Sequence, residues 1–297
     1  MNSTINLIID DLSTVILGKQ QQIKLALACL FSEGHLLIED LPGMGKTTLS
    51  HALAAVLGLS YQRIQFTSDL LPSDILGTNI FDAKEHAFSF HQGPVFSQVV
   101  LADEINRAGP KTQSALLEAM EEKQVTVDSV KHALPSPFFV IATQNPVNQS
   151  GTYPLPESQL DRFFMRISLG FPDKQAEKSL ILGLNNRNYD ELPVRITPEQ
   201  LAVIQKEISS VTLSNAVVDY ILELVDYTRQ SSHFVNPLSP RASIAISRAA
   251  KSWAYIEGRD FVLPEDVQAV FSSVTDHRLG LNNQDSGYAL NHVPVSL

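Results

Sequence analysis

The sequence predicts an α/β protein with a three-layer core around a parallel sheet, followed by an all-helical domain. Two observations support this fold class. Through about the first 170 residues, short apolar runs typical of strands alternate with longer runs of helical periodicity. Beyond Gly170-Phe171-Pro172 there is no further convincing strand pattern, and the remaining segments favour helices. Strands that alternate with helices are typical of a sheet covered on both faces.

The predicted elements of the first domain follow one another closely. In chain order they are a helix over 23–31, a strand over 35–39, a helix over 47–57, strands over 61–66 and 99–102, a helix over 110–122, a hairpin over 124–134, a strand over 138–142, a helix that carries 160–163, and a strand over 165–169. The loop-rich stretch 67–93 is too long for an ordinary connection, so we interpret it as an insertion with a function.

Helix-start signals mark the second domain. Thr197-Pro198-Glu199-Gln200 has the form of a capping box with proline at the first helical position. Further helices are predicted over 214–230 and 239–257, and Pro264 begins another. We therefore divide the chain into a core over 1–171, a linker with a first helix over 172–192, and a helical domain over 193–297. The order of the stretch 281–297 is not predicted, because it has few charges and little periodicity.

Composition narrows the class of protein. The chain has 297 residues, 44% of them hydrophobic, and can bury a full core. A formal charge of −10 argues against a general nucleic-acid or anionic-membrane binder, but not against a local basic channel. The single cysteine, Cys29, lies in an apolar run and is interpreted as a core residue. Because the sequence shows neither a signal peptide nor a membrane span of ~18 apolar residues, we expect a soluble, cytoplasmic protein.

The loop between the first predicted strand and its helix indicates chemistry. Pro42-Gly43-Met44-Gly45-Lys46-Thr47 contains most of the phosphate-binding pattern G-x-x-x-x-G-K-[ST], with Asp40 in place of the first glycine. Glycines let backbone N–H groups turn toward an anion, and the start of the following helix presents further N–H groups there. We expect the phosphate-binding set to be Gly43, Met44, Gly45, Lys46, Thr47 and Thr48, with the Thr47 hydroxyl as a Mg²⁺ ligand. A plain glycine-rich turn is the alternative.

An acidic pair supplies a second half of such a site. Asp103-Glu104 follows the apolar strand 99–102, at the carboxyl end where α/β sheets bind ligands. Asp103 would hold Mg²⁺ through water, and Glu104 would polarise the water that attacks the γ-phosphate of ATP. Taken alone, the pair is equally consistent with a solvated strand end.

These motifs together resemble the MoxR family of AAA+ ATPases. The matching stretches are 41–47 (LPGMGKT), 63–77 (RIQFTSDLLPSDILG), 101–108 (LADEINRA), 142–146 (ATQNP) and 151–163 (GTYPLPESQLDRF). The likeness runs from about Gly18 to Pro240 and beyond, in the family's motif order. It implies a P-loop AAA+ core and a helical lid. An acidic residue at the position of Asp40 is common among such sequences.

The resemblance also implies roles for three further residues. Asn145 matches sensor 1, a polar side chain that orients the lytic water; an ordinary strand-end asparagine is the alternative. Arg162 matches the arginine finger, which reaches the γ-phosphate held by a neighbouring subunit; the alternative is a surface salt bridge, for example with Asp161. Arg241 matches sensor 2 of the lid, and whether it acts on its own subunit's nucleotide or the next one's is left open.

Several other segments take their interpretation from the family. The stretch 69–93 corresponds to the helix 2 insert, and 124–134 to the hairpin before sensor 1, which engage clients or partners in the family. Two passive surface hairpins are the alternative. The stretch 15–19 is expected beside adenine, and His277-Arg278 resembles a family pair to which we assign no role. His35 is expected to be packed rather than catalytic.

The resulting hypothesis is a cytoplasmic, Mg²⁺-dependent ATPase that assembles into a ring, expected to be a hexamer, and remodels a protein client. The family pairs typically with proteins that carry von Willebrand A domains. One alternative is a DNA-translocating motor, although the stretch 124–134 has only Lys131 to contact a phosphate backbone. A second alternative is an ATP-gated scaffold, against which Glu104, Asn145 and Arg162 argue. We expect no membrane insertion and no nucleic-acid partner.

Overall fold

The computed structural model describes residues 2–84, 86–145, 151–183, 189–280 and 286–295. Parts of the predicted segments lie outside these residues, namely 1 and 146–150 of the core, which include the last position of the stretch 142–146, residue 85 of the stretch 69–93, 184–188 of the linker, and 281–285 and 296–297 of the C-terminal stretch. None of the helices in the described ranges is long and apolar enough to cross a membrane.

A five-stranded parallel sheet forms the centre of the first domain. Its strands are β1 (Leu36–Glu39), β2 (Tyr61–Gln65), β5 (Val99–Asp103), β8 (Phe139–Gln144) and β9 (Met165–Ile167). They are arranged in the order β2-β5-β8-β1-β9. Four more strands pair as two antiparallel hairpins, β3 (Gly77–Asp82) with β4 (Ala87–Gln92), and β6 (Gln124–Val127) with β7 (Val130–Ala133).

Helices cover both faces of the sheet, as the sequence predicts. They are α1 (Asn2–Val15), α2 (Gln20–Phe31), α3 (Lys46–Val56), α4 (Pro72–Leu76), α5 (Pro110–Glu122) and α6 (Glu157–Leu160). Alternate residues of the three central strands, β5, β8 and β1, belong to different hydrophobic clusters. Val99 and Leu101 pack in the cluster that contains Leu27 of α2, whereas Val100 packs in the cluster that contains Leu116 of α5. The sheet is therefore buried on both faces, which is the predicted three-layer arrangement.

The second domain is helical throughout its described residues, apart from one isolated bridge between Thr212 and Phe261. Its helices are α7 (Lys174–Ile181), α8 (Pro198–Ser209), α9 (Asn215–Gln230), α10 (Pro240–Ile256), α11 (Pro264–Thr275) and α12 (Gly287–His292). The predicted capping box of α8 is present, since Thr197 Oγ1 accepts from Gln200 N and the Gln200 side chain accepts from Thr197 N. Helices α9 and α10 begin after Ser214 and Ser239, each of which caps its helix through the side chain.

The two hairpins lie side by side. Phe90 of β4 stacks on His132 of β7 with 3.8 Å between ring centroids, and the Asn79 amide donates to Asp128 at 2.6 Å. At the far end of β3–β4, Phe81 and Phe88 form an exposed cross-strand pair, 50% and 72% accessible. Rings exposed to this degree contribute little to the stability of the fold, because little of their apolar surface is buried. They are therefore available to contact another molecule.

Helices α1 and α6 differ from the sequence prediction, and helix α4 within the stretch 69–93 was not predicted either. Helix α1 was not predicted, although Ile5, Ile8, Ile9 and Leu12 recur at helical spacing and are buried. Helix α6 ends at Leu160, so Asp161, Arg162 and Phe163 follow the helix instead of lying within it. The chain continues in tighter turns, since Arg162 N donates to the Gln159 carbonyl and Phe163 N donates to the Leu160 carbonyl, and the Phe163 carbonyl contacts His277 and Arg278 of the second domain. Cys29 is fully buried, as expected.

Candidate active site

A cavity of about 350 Å³ lies at the carboxyl end of the sheet. It is lined by Pro42, Gly43, Gly45, Lys46, Thr47, Thr48, Asp103, Glu104 and Asn145. The structure thus brings together residues that the sequence assigns to phosphate, Mg²⁺ and water. Met44, the remaining member of the predicted phosphate-binding set, packs partly buried against the hydrophobic core behind the loop.

The loop requires its glycines for backbone conformation. Gly43 and Gly45 have φ of +84° and +87°, a region that other residues rarely adopt. A Cβ atom on either glycine would meet no atom within 4 Å in the described structure, so open space lies in front of both residues. Helix α3 begins at Lys46, directly after Gly45, and no described side chain caps its first N–H groups. These groups and the space before them fit an anion.

Lys46 is held by neutral oxygen atoms. Its Nζ donates to the carbonyls of Asp40 at 2.6 Å and Leu41 at 3.3 Å, and to Asn145 Oδ1 at 3.2 Å. Burial lowers the pKa of Lys46, while the nearby carboxylates of Asp40, Asp103 and Glu104 act in the opposite direction. Because the residue is only 8% exposed, an anion in the cavity would stabilise its charged form.

Asp103 and Glu104 each have partners on both carboxylate oxygens. Asp103 Oδ1 accepts from Thr143 Oγ1 at 2.6 Å, and Oδ2 accepts from Arg63 at 2.7 and 3.0 Å. Glu104 Oε1 accepts from Asn145 Nδ2 at 3.0 Å, and Oε2 accepts from Gln65 Nε2 at 3.0 Å. The predicted base and the predicted sensor are therefore in direct contact.

The backbone at Glu104 is unusual. Its φ of +56° and ψ of +49° place it in the left-handed region, which costs about 1 kcal/mol or more for a residue with a side chain. Its N–H donates to Thr143 Oγ1 at 2.9 Å. The strand end thereby turns the Glu104 side chain toward the cavity, and the strain is consistent with a functional position.

Sequence reasoning missed three of these contact residues. Arg63 and Gln65 occupy alternate positions of β2, next to β5 in the sheet, and both side chains reach the acidic pair. Thr143 lies in β8 on the other side of β5. For Arg63 and Gln65 the available signal was their position within a predicted strand, because polar residues in paired strands need partners, whereas Thr143 follows the predicted strand 138–142.

Arg162 and Arg241 lie elsewhere. Both line a second cavity of about 520 Å³, and its lining residues do not include those around Lys46. Arg162 forms an ion pair with Glu121 of α5. The alternative interpretation of Arg162, a surface salt bridge, is therefore present in the structure, but its partner is Glu121 and not Asp161, which contacts Arg241 at 3.4 Å and Arg278 at 2.8 Å.

The structure places His277 and Arg278 at the junction of the two domains. His277 Nε2 lies 3.0 Å from the Phe163 carbonyl, and Arg278 Nη2 donates to the same oxygen at 2.9 Å. Arg278 also donates to Asp161, and burial lowers the pKa of both His277 and Arg278. The pair therefore fixes the backbone on either side of Arg162, which is a structural role.

Comparisons with known proteins agree with this geometry. Residues 35–165 match the model of the ATPase family associated with various cellular activities (AAA), and residues 227–291 match the AAA lid domain. The chain is 45% identical to YeaC of Bacillus subtilis, an uncharacterized protein, over 92% of this chain and 86% of YeaC. It is 39% identical to the chaperone MoxR1 of Mycobacterium tuberculosis, over 94% of this chain and 76% of MoxR1.

A solved structure supports the same relationship. A crystal structure from Cytophaga hutchinsonii, described provisionally as an ATPase, superposes with a TM-score of 0.89 at 38% identity, covering 100% of this chain and 96% of that one. The parallel sheet, the phosphate-binding loop and the helical lid define an ATPase of the AAA+ class. Within that class, the chain belongs to the MoxR family.

Proposed function

We propose that this protein hydrolyses ATP to ADP and phosphate, with Mg²⁺, as a homo-oligomeric ring, most simply a hexamer. One observation carries the proposal: Arg162 and Arg241 line a cavity that is separate from the phosphate-binding cavity of the same chain. Arginines that act on phosphate from that position need the nucleotide of another subunit. In this proposal, 1–171 form the core, 172–192 the linker with the first lid helix, and 193–297 the lid.

The residues around the cavity suit each step of the reaction. Lys46 and the N–H groups at the start of α3 would bind the β- and γ-phosphates. The Thr47 hydroxyl and the Asp103 carboxylate line the same cavity and fit Mg²⁺, which prefers oxygen ligands. Mg²⁺ would neutralise charge on the phosphates.

Glu104 would act as the general base. Its carboxylate would take a proton from the attacking water as the bond to the γ-phosphorus forms and ADP leaves. Asn145 lies 3.0 Å from Glu104 and 3.2 Å from Lys46, so it can orient that water between the base and the phosphate. This contact supports the role of sensor 1.

In a ring, Arg162 and Arg241 would reach the γ-phosphate held by the neighbouring subunit. Both are paired with acids of their own chain, Arg162 with Glu121 and Arg241 with Asp161, so phosphate would have to replace these partners. Arg241 is exposed, with 64% of its side chain accessible, which supports action across an interface. We therefore assign both residues to the neighbour's nucleotide.

We further propose that the protein is a cytoplasmic chaperone that remodels a protein client, together with a von Willebrand A domain protein. The name of the relative MoxR1 supports the chaperone role. The exposed rings of Phe81 and Phe88 offer apolar contacts to a polypeptide. The hairpin β6–β7 contains a single Lys or Arg residue, Lys131, which weighs against a DNA-translocating motor.

Phosphate release measured against protein concentration tests the ATPase. We expect Mg²⁺-dependent turnover per subunit to rise as the ring forms, with assembly followed by light scattering in the same samples. Turnover that is equal for monomer and ring would contradict catalysis across the interface. A ring without turnover would instead support the ATP-gated scaffold.

A trap experiment tests the client. The Glu104→Gln variant, incubated in lysate of the source cells with ATP and in parallel with ADP, should retain a protein only with ATP. A von Willebrand A domain protein among those retained would support the proposed partnership. Retention of nucleic acid would support the translocating motor instead.

A further inference from the structure

We propose that Asp40 is a positioning residue that ties the phosphate-binding loop to the segment leading into the lid. This exit segment comprises residues 168–173, between the last sheet strand β9 and the helix α7. Asp40 stands where the general phosphate-binding pattern has its first glycine. The proposal gives that departure a function.

The Asp40 side chain holds the exit segment directly. Its Oδ2 atom accepts from Leu169 N at 2.5 Å, Gly170 N at 2.9 Å and Ser168 Oγ at 3.2 Å. The residue is only 9% exposed, so these contacts are largely shielded from water. Charge-assisted hydrogen bonds from backbone amides are among the stronger ones in proteins. A glycine at position 40 would leave the two amides without this acceptor.

The Asp40 backbone contacts the phosphate-binding lysine. Lys46 Nζ donates to the Asp40 carbonyl at 2.6 Å, the shortest of its three hydrogen bonds given above. A phosphate bound in the cavity would compete with this carbonyl for Lys46. One residue therefore contacts both the group that senses phosphate and the segment that leads to the lid.

The exit segment has further contacts that continue the connection. Lys19 Nζ donates to the Phe171 carbonyl at 2.5 Å. Asp173 caps α7, with Oδ1 accepting from Gln175 N at 2.9 Å and Ala176 N at 2.8 Å. A displacement of the exit segment would thus reach both the turn before α2 and the start of α7.

The inference rests on the proposed nucleotide binding at Lys46, but not on hydrolysis. When a bound phosphate draws Lys46 Nζ away from the Asp40 carbonyl, the loop around Asp40 relaxes. The conformation of the exit segment then changes with that of the loop. Without the Asp40 carboxylate, the loop would still bind nucleotide, but binding would no longer change the exit segment or α7. Asp40 acts through other residues and takes no part in bond making.

The test compares Asp40→Gly, which restores the general pattern, with Asp40→Asn and with the control Glu39→Gln. Glu39 precedes Asp40, and its carboxylate accepts from Arg166 at 3.1 Å and Gln144 at 3.2 Å without contacting the exit segment in the described structure. Full-length proteins are titrated with a fluorescent ADP analogue. Hydrogen exchange of residues 168–181 is then followed with and without ADP.

We expect Leu169 and Gly170 amides to exchange about 10- to 100-fold faster in Asp40→Gly, and less than that in Asp40→Asn, which keeps an acceptor. ADP affinity should stay within about tenfold of the wild-type value, and the ADP-dependent change in α7 should be lost. Glu39→Gln should behave as wild type. If Asp40→Gly fails to fold, Asp40→Asn carries the test, and we expect it to lose part of the ADP-dependent change in α7.

Two results would overturn the inference. The first is an ADP-dependent change in the hydrogen exchange of α7 that is as large in Asp40→Gly as in the wild type. Where Asp40→Asn carries the test, the same result in that variant would overturn the inference. The second is an equal loss of response in Glu39→Gln, which would indicate a general effect of charge. Absence of ADP binding by the wild-type protein would overturn the proposed function as well, so the two failures are distinguishable.

Discussion

Arg63 donates two hydrogen bonds to Oδ2 of Asp103, from Nε at 3.0 Å and from Nη2 at 2.7 Å. Asp103 is the carboxylate that would hold Mg²⁺, so the arginine and the metal would compete for the same negative charge. Arg63 remains half exposed, with 48% of its side chain accessible. Pairs exposed to this degree contribute about 1 kcal/mol or less.

We therefore predict that Arg63→Gln lowers the Mg²⁺ concentration needed for half-maximal hydrolysis by about two- to fivefold. Titration of Mg²⁺ at saturating ATP measures this, and Mg²⁺-dependent nucleotide binding gives a second reading without turnover. Lys111→Gln, at the exposed start of α5, serves as the charge-matched control. A higher Mg²⁺ requirement in Arg63→Gln would mean that the arginine supports the metal site.

Glu104→Gln is expected to leave ATP binding within a few-fold of the wild-type value and to reduce hydrolysis by roughly 10²- to 10⁴-fold. The substitution removes the proposed base but keeps a side chain that can contact Asn145 and Gln65. Nucleotide binding and phosphate release are measured on the same preparation. Glu122→Gln, at the exposed end of α5, is the control, and equal turnover in all three proteins would exclude Glu104 as the base.

Arg162→Ala is expected to reduce hydrolysis by roughly 10³- to 10⁵-fold, the range known for arginine fingers. Rings mixed from Arg162→Ala and Glu104→Gln subunits should regain activity, because one type of interface combines an intact arginine with an intact base. Turnover is measured across mixing ratios, with mixed assembly verified by mass spectrometry. Verified mixed rings that stay inactive at every ratio would argue against an arginine acting on the neighbour's nucleotide.

Arg278→Ala is expected to lower the free energy of unfolding by about 3 kcal/mol or more, because it breaks a largely buried ion pair at the domain junction. The Arg278 side chain is only 6% exposed and contacts Asp161 at 2.8 Å. Arg241 contacts the same aspartate from an exposed position, so Arg241→Ala should cost about 1 kcal/mol or less. Urea denaturation of both variants measures the difference, and equal losses would contradict the structural role of Arg278.

Stability should fall on acidification because of His35. Burial lowers the pKa of His35 from 6.5 to about 4, and its Nδ1 accepts from Val140 N at 3.0 Å in the neutral form. The unfolded chain therefore binds the proton first, and stability present above pH 6.5 is lost as the pH falls toward 4.

At pH 5 the loss from His35 amounts to about 2 kcal/mol. His35→Gln cannot titrate, so its free energy of unfolding should decline less between pH 7.5 and pH 5, by about that amount. His277 has a pKa lowered in the same direction and continues to contribute in both proteins. Urea denaturation at each pH measures the free energy of unfolding of both proteins. An equal decline in wild type and His35→Gln would contradict the role of His35 in the pH dependence.

The sequence predicted what is encoded locally. The loop around Lys46, its following helix and the strand that ends in Asp103 could be recognised because their signals lie within a few residues of one another. Helix α1 could have been recognised in the same way, since Ile5, Ile8, Ile9 and Leu12 recur at helical spacing.

Pairings between distant residues could not be read in this way. Arg63 meets Asp103 only because β2 and β5 are neighbours in the sheet, with Arg63 in register with Leu101. Arg278 contacts Asp161 across 117 positions of sequence. Strand order and the seating of the lid on the core decide these contacts, and neither is encoded in a local pattern.

Cys29 offers a practical consequence of the packed core. Its thiol is fully buried, and burial raises its pKa, so the reactive thiolate is scarce in the folded protein. The chain contains no other cysteine. A cysteine introduced at an exposed position such as Phe88 would therefore be the single site that maleimide dyes modify, and donor–acceptor distances in assembled subunits could be followed without first removing the native thiol.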